Sequence, residues 1–178
     1  MVLLDGKANH PRQLLGNKGH GVDAMRRHNL PVPPAFCITT EVGLRYLADP
    51  QATMDAIWDD VLDRMSWLEA ETSRTFGRGT RPLLVSARSG ATQSMPGMMD
   101  TILNLGMNDA VERALTASGA AEFARDTRQR FTAMYQRIVG AGDEHSLPTD
   151  PYKQLRAGIE AVFASWNSPR AVAYRAHY

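Results

Sequence analysis

LLVSARSGATQSMPGMMDTILNLG, residues Leu83 to Gly106, is the stretch that sets the character of this chain. The apolar run Leu83-Leu84-Val85, extended by Ser86, suits a buried strand, and Ile102, Leu103 and Leu105 form a second apolar run after a loop holding Gly90, Pro96 and Gly97. The first run delivers Arg88 into that loop, among the hydroxyls of Ser86, Ser89, Thr92, Ser94 and Thr101. A guanidinium stays charged and offers a planar fork of donors that meets phosphate oxygens two at a time. Taken alone, the stretch is read as a phosphate site or as a surface arginine on a hairpin loop, since loops collect glycine and polar residues in any case.

Composition sets the outer limits. The 178 residues are enough for one domain with a core or for two small lobes. With 20 basic and 19 acidic side chains the net charge is +1, so electrostatics call for neither a nucleic acid nor a membrane as partner. The single cysteine, Cys37, leaves no internal disulfide framework and fits a reducing compartment. It stands between Phe36 and Ile38, the setting of a packed thiol rather than a nucleophile. No charged start followed by an apolar stretch begins the chain, and no apolar run of membrane-spanning length occurs, so a cytoplasmic location is expected.

Outward from the opening stretch, Val2 to Leu4 suggests a short strand turning at Asp5-Gly6, and Gly19 to His28 reads as a helix. Pro31, Pro33 and Pro34 enforce an extended linker before a strand at Ala35 to Ile38. Thr39 or Thr40 caps a helix to about Leu47, and Asp49-Pro50 starts a long one, in which Met54, Ile57, Trp58, Val61, Leu62, Met65 and Leu68 recur at three and four residues up to Gly77 or Gly79. After Asn108 the pattern is wholly helical: Asn108 to Ser118, Ala121 to Val139, Asp150 to Trp166 and Pro169 onward, with Asp150-Pro151 and Ser168-Pro169 repeating the cap-plus-proline start. Phe123, Thr127, Phe131, Met134 and Ile138 make one stripe there, and Leu155, Ile159, Val162 and Phe163 another. The segment from Gly140 to Pro148 reads as a joining loop. The architecture expected is α+β: a small mixed sheet from strands near residues 2, 36, 84 and 103 in an α/β lobe of residues 1–107, and a helical subdomain over 108–178.

A second loop strengthens the anion reading. Gly16-Asn17-Lys18-Gly19-His20-Gly21 precedes the first helix, where glycines permit close backbone approach and the helix start contributes positive potential. Lys18 adds a mobile charge. The spacing is neither that of a Walker loop nor that of a dinucleotide fingerprint, and a lysine in such a turn is commonly just solvated. Together, though, two separated loops each offer a cation and several glycines. Spreading such cations over phosphates and excluding water is how phosphoryl transfer is catalysed.

The segments Gly16 to Met25, Leu30 to Tyr46 and Leu84 to Leu105 resemble the N-terminal nucleotide-binding domain of the pyruvate phosphate dikinase family, as does the late stretch Phe163-Ala-Ser-Trp-Asn-Ser-Pro-Arg-Ala-Val-Ala-Tyr-Arg175. The likeness to phosphoenolpyruvate synthase and rifampin phosphotransferase, which share this ATP-grasp-type domain, is weaker. The string SMPGMMDTILNLG resembles the dikinase branch specifically. The resemblance implies the first lobe of an ATP-grasp-type domain. It also implies a reaction in which ATP passes its β and γ phosphates to a histidine on a carrier domain, phosphate takes the γ group, and the phosphohistidine serves pyruvate elsewhere. Carried over by position, Lys18 and Arg88 match the family residues that hold ATP phosphates and stabilise the transferring group, and Gly97 and Thr101 match positions lining the phosphates.

The chain departs from the family pattern at Asn17, where a second glycine is usual, and at His20-Gly21, where Ala-Asn is commoner. Magnesium is expected through acidic residues of a second lobe beyond Tyr178, with no metal ligand assigned here, and the carrier domain and the pyruvate/phosphoenolpyruvate domain belong to the same parent protein. A homodimer is compatible with this reading, and the segment alone is expected to be inactive. None of the five histidines lies in a segment like the phosphocarrier motif. Met95, Met98 and Met99 concentrate three of nine methionines in one loop, as an apolar wall for the base, a flap over ATP or core filling. Asp100 reads as a turn-former. The alternative of another class is a non-catalytic anion-binding or partner-docking module.

Overall fold

The computed structural model describes residues 1–93, 95–140 and 147–177. Ser94 and most of the joining loop expected after Gly140 lie outside the described residues. In chain order the elements are β1 (Val2–Leu3), α1 (Arg12–Arg27), β2 (Phe36–Cys37), α2 (Thr40–Ala48), α3 (Pro50–Thr72), β3 (Thr75–Phe76), β4 (Pro82–Leu83), β5 (Val85–Arg88), β6 (Thr101–Leu105), α4 (Asp109–Ala117), α5 (Ala121–Val139), α6 (Pro151–Ala164) and α7 (Pro169–Ala176), with a 3-10 turn at Ser165–Asn167. The class is α+β. The expected single mixed sheet is instead three two-stranded ladders: β1 with β2 antiparallel, β3 with β4 parallel, and β5 with β6 antiparallel.

The chain divides into two compact units that interleave along the sequence. One comprises Met1–Glu71, Ser89–Met99 and Trp166–Tyr178, the other Thr72–Arg88 and Asp100–Ser165. Residues 72–88 and 100–107 therefore group with helices α4, α5 and α6, because the β5/β6 ladder is the surface on which α5 and α6 pack.

In the first unit, Asp49 and Pro50 start α3 as the sequence indicates, the Asp49 side chain accepting from the Ala52 amide at 3.1 Å. Met54, Ile57, Val61, Met65 and Leu68 are its buried face. Helix α1 begins well before the expected Gly19, at Arg12. It is interrupted at Gly16, whose φ of 69° and ψ of 174° are open to glycine alone. Asp23 of α1 is almost fully buried; it accepts from the Gly6 amide at 3.0 Å and from the Arg27 guanidinium at 2.6 Å, tying the turn after β1 to the helix.

In the second unit, β5 and β6 pair Val85 with Leu105, Ala87 with Ile102 and Arg88 with Thr101, with a bulge between Val85 and Ala87. Asn104 of β6 adopts φ of 61°, which asparagine tolerates better than branched residues. Helix α6 passes closest to this ladder at Gly158, where a Cβ would lie 3.1 Å from both methyl carbons of Leu105. The stripe expected on α5 is rotated. Phe123 is 60% exposed, and the buried residues are Ala124, Thr127, Phe131, Thr132 and Tyr135. Thr127 and Phe131 belong to both sets; the spacing of Phe123 satisfies the helical period, but the face that meets β6 and α6 is one residue further round. Burial, reinforced by the charge of Glu160, pushes the Tyr135 phenol up to about 12.

Two buried amide side chains organise the second unit. Gln154 of α6 accepts from the Gly106 amide at 2.9 Å and donates to the carbonyls of Met107 at 3.0 Å and Pro148 at 2.6 Å. Asn108 caps α4 by accepting from the Val111 amide at 3.0 Å, and donates to the carbonyls of Gly77 at 2.9 Å and Thr149 at 3.3 Å. Every polar atom of the Gln154 amide is thereby used, and burying it costs little.

Gln154→Glu keeps the volume but sets a carboxylate oxygen against the carbonyls of Met107 and Pro148. It should destabilise the fold by about 3 kcal/mol at pH 8. Ionisation of the buried carboxyl is disfavoured in the fold, so the loss is smallest below the unfolded pKa, where the protonated group still serves one of the two carbonyls, and it grows as pH rises toward the raised folded pKa. Urea unfolding at pH 5 and pH 8 checks this; equal losses at both values would contradict the assignment of Gln154 as a donor.

Candidate functional site

Lys18 lies in the first turn after the interruption at Gly16, within α1, and its side chain is exposed. It has no hydrogen-bond or ion-pair partner among the described residues. The interruption has a visible cause. A Cβ on Gly16 would lie 1.9 Å from the carbonyl oxygen of Gly90, and the Asn17 amide donates to the Ala91 carbonyl at 2.8 Å. Backbone meets backbone here because residue 16 carries no side chain. The Ser89–Met99 segment is thus seated at its start against the turn that carries Lys18, within the first unit.

The far end of that segment is held as well. The Met98 carbonyl accepts from Arg170 Nε at 2.9 Å and, at the longer distance of 3.5 Å, from Ser168 Oγ. Gly97 precedes this grip with φ of 72°, exposed, and with open space where a side chain would point. Of the methionines expected to form a wall, a flap or core, Met98 and Met99 are half-buried, as is Met95.

Arg88 and Thr101 belong to the second unit, where the β5/β6 register sets them opposite each other. Arg88 closes its strand with an exposed side chain that, like Lys18, has no partner among the described residues, while Thr101 is half-buried. Of the neighbouring hydroxyls, Ser86 and Thr92 are exposed and Ser89 is buried. Asp100 donates its backbone amide to Ser165 Oγ at 3.1 Å. Lys18 and Gly97 therefore fall in one unit, and Arg88 and Thr101 in the other.

Cys37 behaves as a packed thiol: burial pushes it up to about 11, and its Sγ lies 3.5 Å from the Leu15 carbonyl oxygen. Among the described residues no three histidine, cysteine or acidic side chains converge to hold a metal ion, and no helix is long and apolar enough to cross a membrane. Residue-by-residue reading overlooked Arg170 and Ser168. The Ser168-Pro169 start of α7 was visible as a cap, and Ser168 does accept from the Ala171 amide at 3.3 Å, but nothing in the local sequence announces a bond to a carbonyl seventy-two residues away.

The fold is of α+β class, with one exposed cation after the Gly16 interruption of α1 and another at the end of β5, neither with a side-chain partner among the described residues. Residues 54–178 match the family model described as pyruvate phosphate dikinase, AMP/ATP-binding domain. The chain belongs to that family. It is 36% identical over 208 residues to the chloroplastic pyruvate, phosphate dikinase of Flaveria pringlei, covering 92% of this chain and 22% of that protein. To pyruvate, phosphate dikinase of Clostridium symbiosum it is 35% identical over 209 residues, covering 92% of this chain and 24% of the relative. The chain thus spans less than a quarter of the length of these relatives. Both matched stretches are longer than the 178 residues present here, so the relatives carry residues inside the stretch that this chain lacks.

Gly16→Ala should cost at least about 2 kcal/mol, since a left-handed φ is combined with a clash against backbone that has no rotamer to change. It should also open the Ser89–Met99 segment to limited proteolysis; a variant as resistant and as stable as the parent would contradict the close approach. Alkylation of Cys37 by iodoacetamide at pH 8 should be far slower in the folded chain than for an ordinary thiol, because little thiolate forms below pH 11. Mass spectrometry of the time course reads this directly.

Proposed function

We propose that this chain is the part of a pyruvate phosphate dikinase that grips the phosphates of ATP. The parent reaction converts ATP, phosphate and pyruvate to AMP, diphosphate and phosphoenolpyruvate. The observation that carries the reading is the coincidence of family membership with two exposed cations, Lys18 and Arg88, that have no partner among the described residues. Each stands beside a glycine-bearing turn, whereas some surface arginines elsewhere in the chain are neutralised, as Arg128 is by Asp109 at 2.8 Å and Arg130 by Asp126 at 2.9 Å.

In this reading Arg88 holds phosphate oxygens through its guanidinium fork and Lys18 supplies a point charge. As the bond from the α phosphate breaks, negative charge builds on the oxygens about the α and β phosphorus atoms, and fixed cations there lower the barrier without reorganising. Gly97 allows the chain to approach the phosphates without a side chain intervening, and the Thr101 hydroxyl donates to an oxygen beside Arg88. The acceptor is a histidine of a carrier domain elsewhere in the parent protein, from which pyruvate is served at a further domain. Magnesium, which neutralises phosphate charge when bound, is expected through residues outside this chain; the cations described above suit the anionic end of ATP and not the metal. An ATP-grasp lobe in the cytoplasm completes the reading.

Lys18→Ala and Arg88→Ala should each weaken ATP binding by about tenfold or more, the size of one charge-assisted contact. In the parent protein each should also lower ATP-dependent histidine phosphorylation more than it lowers affinity. Calorimetric titration of the chain and radiolabel transfer in the parent protein measure the two effects. Unchanged transfer in both variants would overturn the reading.

A further inference from the structure

We propose that Arg170 is a positioning residue for the nucleotide site, acting through the carbonyl of Met98. This rests on the phosphate reading of Lys18 and Gly97 given above. The Ser89–Met99 segment is held at its start by Gly16 and Asn17, through the approach of Gly90 and the 2.8 Å bond to the Ala91 carbonyl. Its other end is fixed by α7, through Arg170 Nε at 2.9 Å and Ser168 Oγ at 3.5 Å on a single acceptor. Gly97 stands immediately before that acceptor, at a φ of 72° with open space where a Cβ would point, inside the turn that the Met98 amide closes on the Met95 carbonyl at 3.2 Å. The turn is local, and the bond one residue later is what ties it to α7.

The platform behind the bond is itself braced. Ser168 caps α7, and the Arg175 guanidinium lies 4.2 Å from the centroid of the Trp166 ring while donating to the Trp166 carbonyl at 2.5 Å. The start of α7 is thus fixed from both sides of Arg170. A guanidinium bonded to a carbonyl keeps its charge, and that charge adds positive potential at the segment without touching the ligand. Arg170 therefore acts by orientation, whereas Lys18 acts by contact.

The test uses the full chain with methyl-labelled methionine, the signals of Met95, Met98 and Met99 being assigned by single Met→Leu substitutions, and ATP with magnesium as the probe. Arg170→Ala should move the Met98 and Met99 methyl signals toward free-chain positions and raise the Kd for ATP roughly fivefold, the loss of one partly exposed charge-assisted bond. Arg170→Lys, whose ammonium can still donate to the carbonyl, should recover part of both changes. A purely structural role for Arg170 would lower the melting temperature while leaving the folded-state methyl signals at their parental positions, and that result overturns the proposal. ATP binding that falls with Lys18→Ala but is indifferent to Arg170→Ala overturns the positioning role alone. No response of the unaltered chain to ATP overturns the reading of the site on which it rests.

Discussion

The carbonyl oxygen of Gly90 occupies the place where a side chain on residue 16 would begin. Around this contact the first unit arranges the turn bearing Lys18: α1 breaks, restarts one residue later, and takes the Ala91 carbonyl as partner for the Asn17 amide. A helix that ran unbroken through residue 16 would leave no room for the incoming segment. A segment that arrived a little farther away would leave the Asn17 amide without its acceptor, at a cost comparable to a lost hydrogen bond. Exclusion and attraction thus select the same geometry, and the cation at residue 18 is presented as a by-product of two glycines meeting.

The second unit solves a different problem. Its ladder of β5 and β6 is too short to be stable unsupported, and α5 and α6 cover it, with α6 drawn close where Gly158 stands against Leu105 and Ile102. The polar ends of this small core are closed by amide side chains rather than by charges. Gln154 and Asn108 bind backbone groups of turns and of the first turn of α4, and each uses both its donor and its acceptor atoms. Amides suit this role because they bring no desolvation cost of an ionised group.

Local chemistry made much of this legible from sequence. Asp49-Pro50, Asp150-Pro151 and Ser168-Pro169 each start a helix where their cap-and-proline pattern indicates, and α5 runs from Ala121 to Val139 as read. Lys18 and Arg88 could be picked out because each is a cation beside glycines, and both prove exposed and without partners among the described residues. What escaped detection is non-local. The early start of α1 depends on Gly90, the rotation of the α5 stripe depends on what α6 and β6 present to it, and the strands were grouped into one sheet because pairing is set by partners far along the chain. The bond from Arg170 to Met98 escaped for the same reason: a carbonyl has no signature in a sequence.

That last feature bears on how this segment can change over generations. Its ends are gripped mainly through backbone atoms, the carbonyls of Ala91 and Met98. Backbone grips are indifferent to the side chains they hold, so substitution at residues 91 and 98 leaves those bonds intact. The path of the segment is set through Gly16 and Arg170, which lie outside it, so the side chains between the grips are released from holding the path.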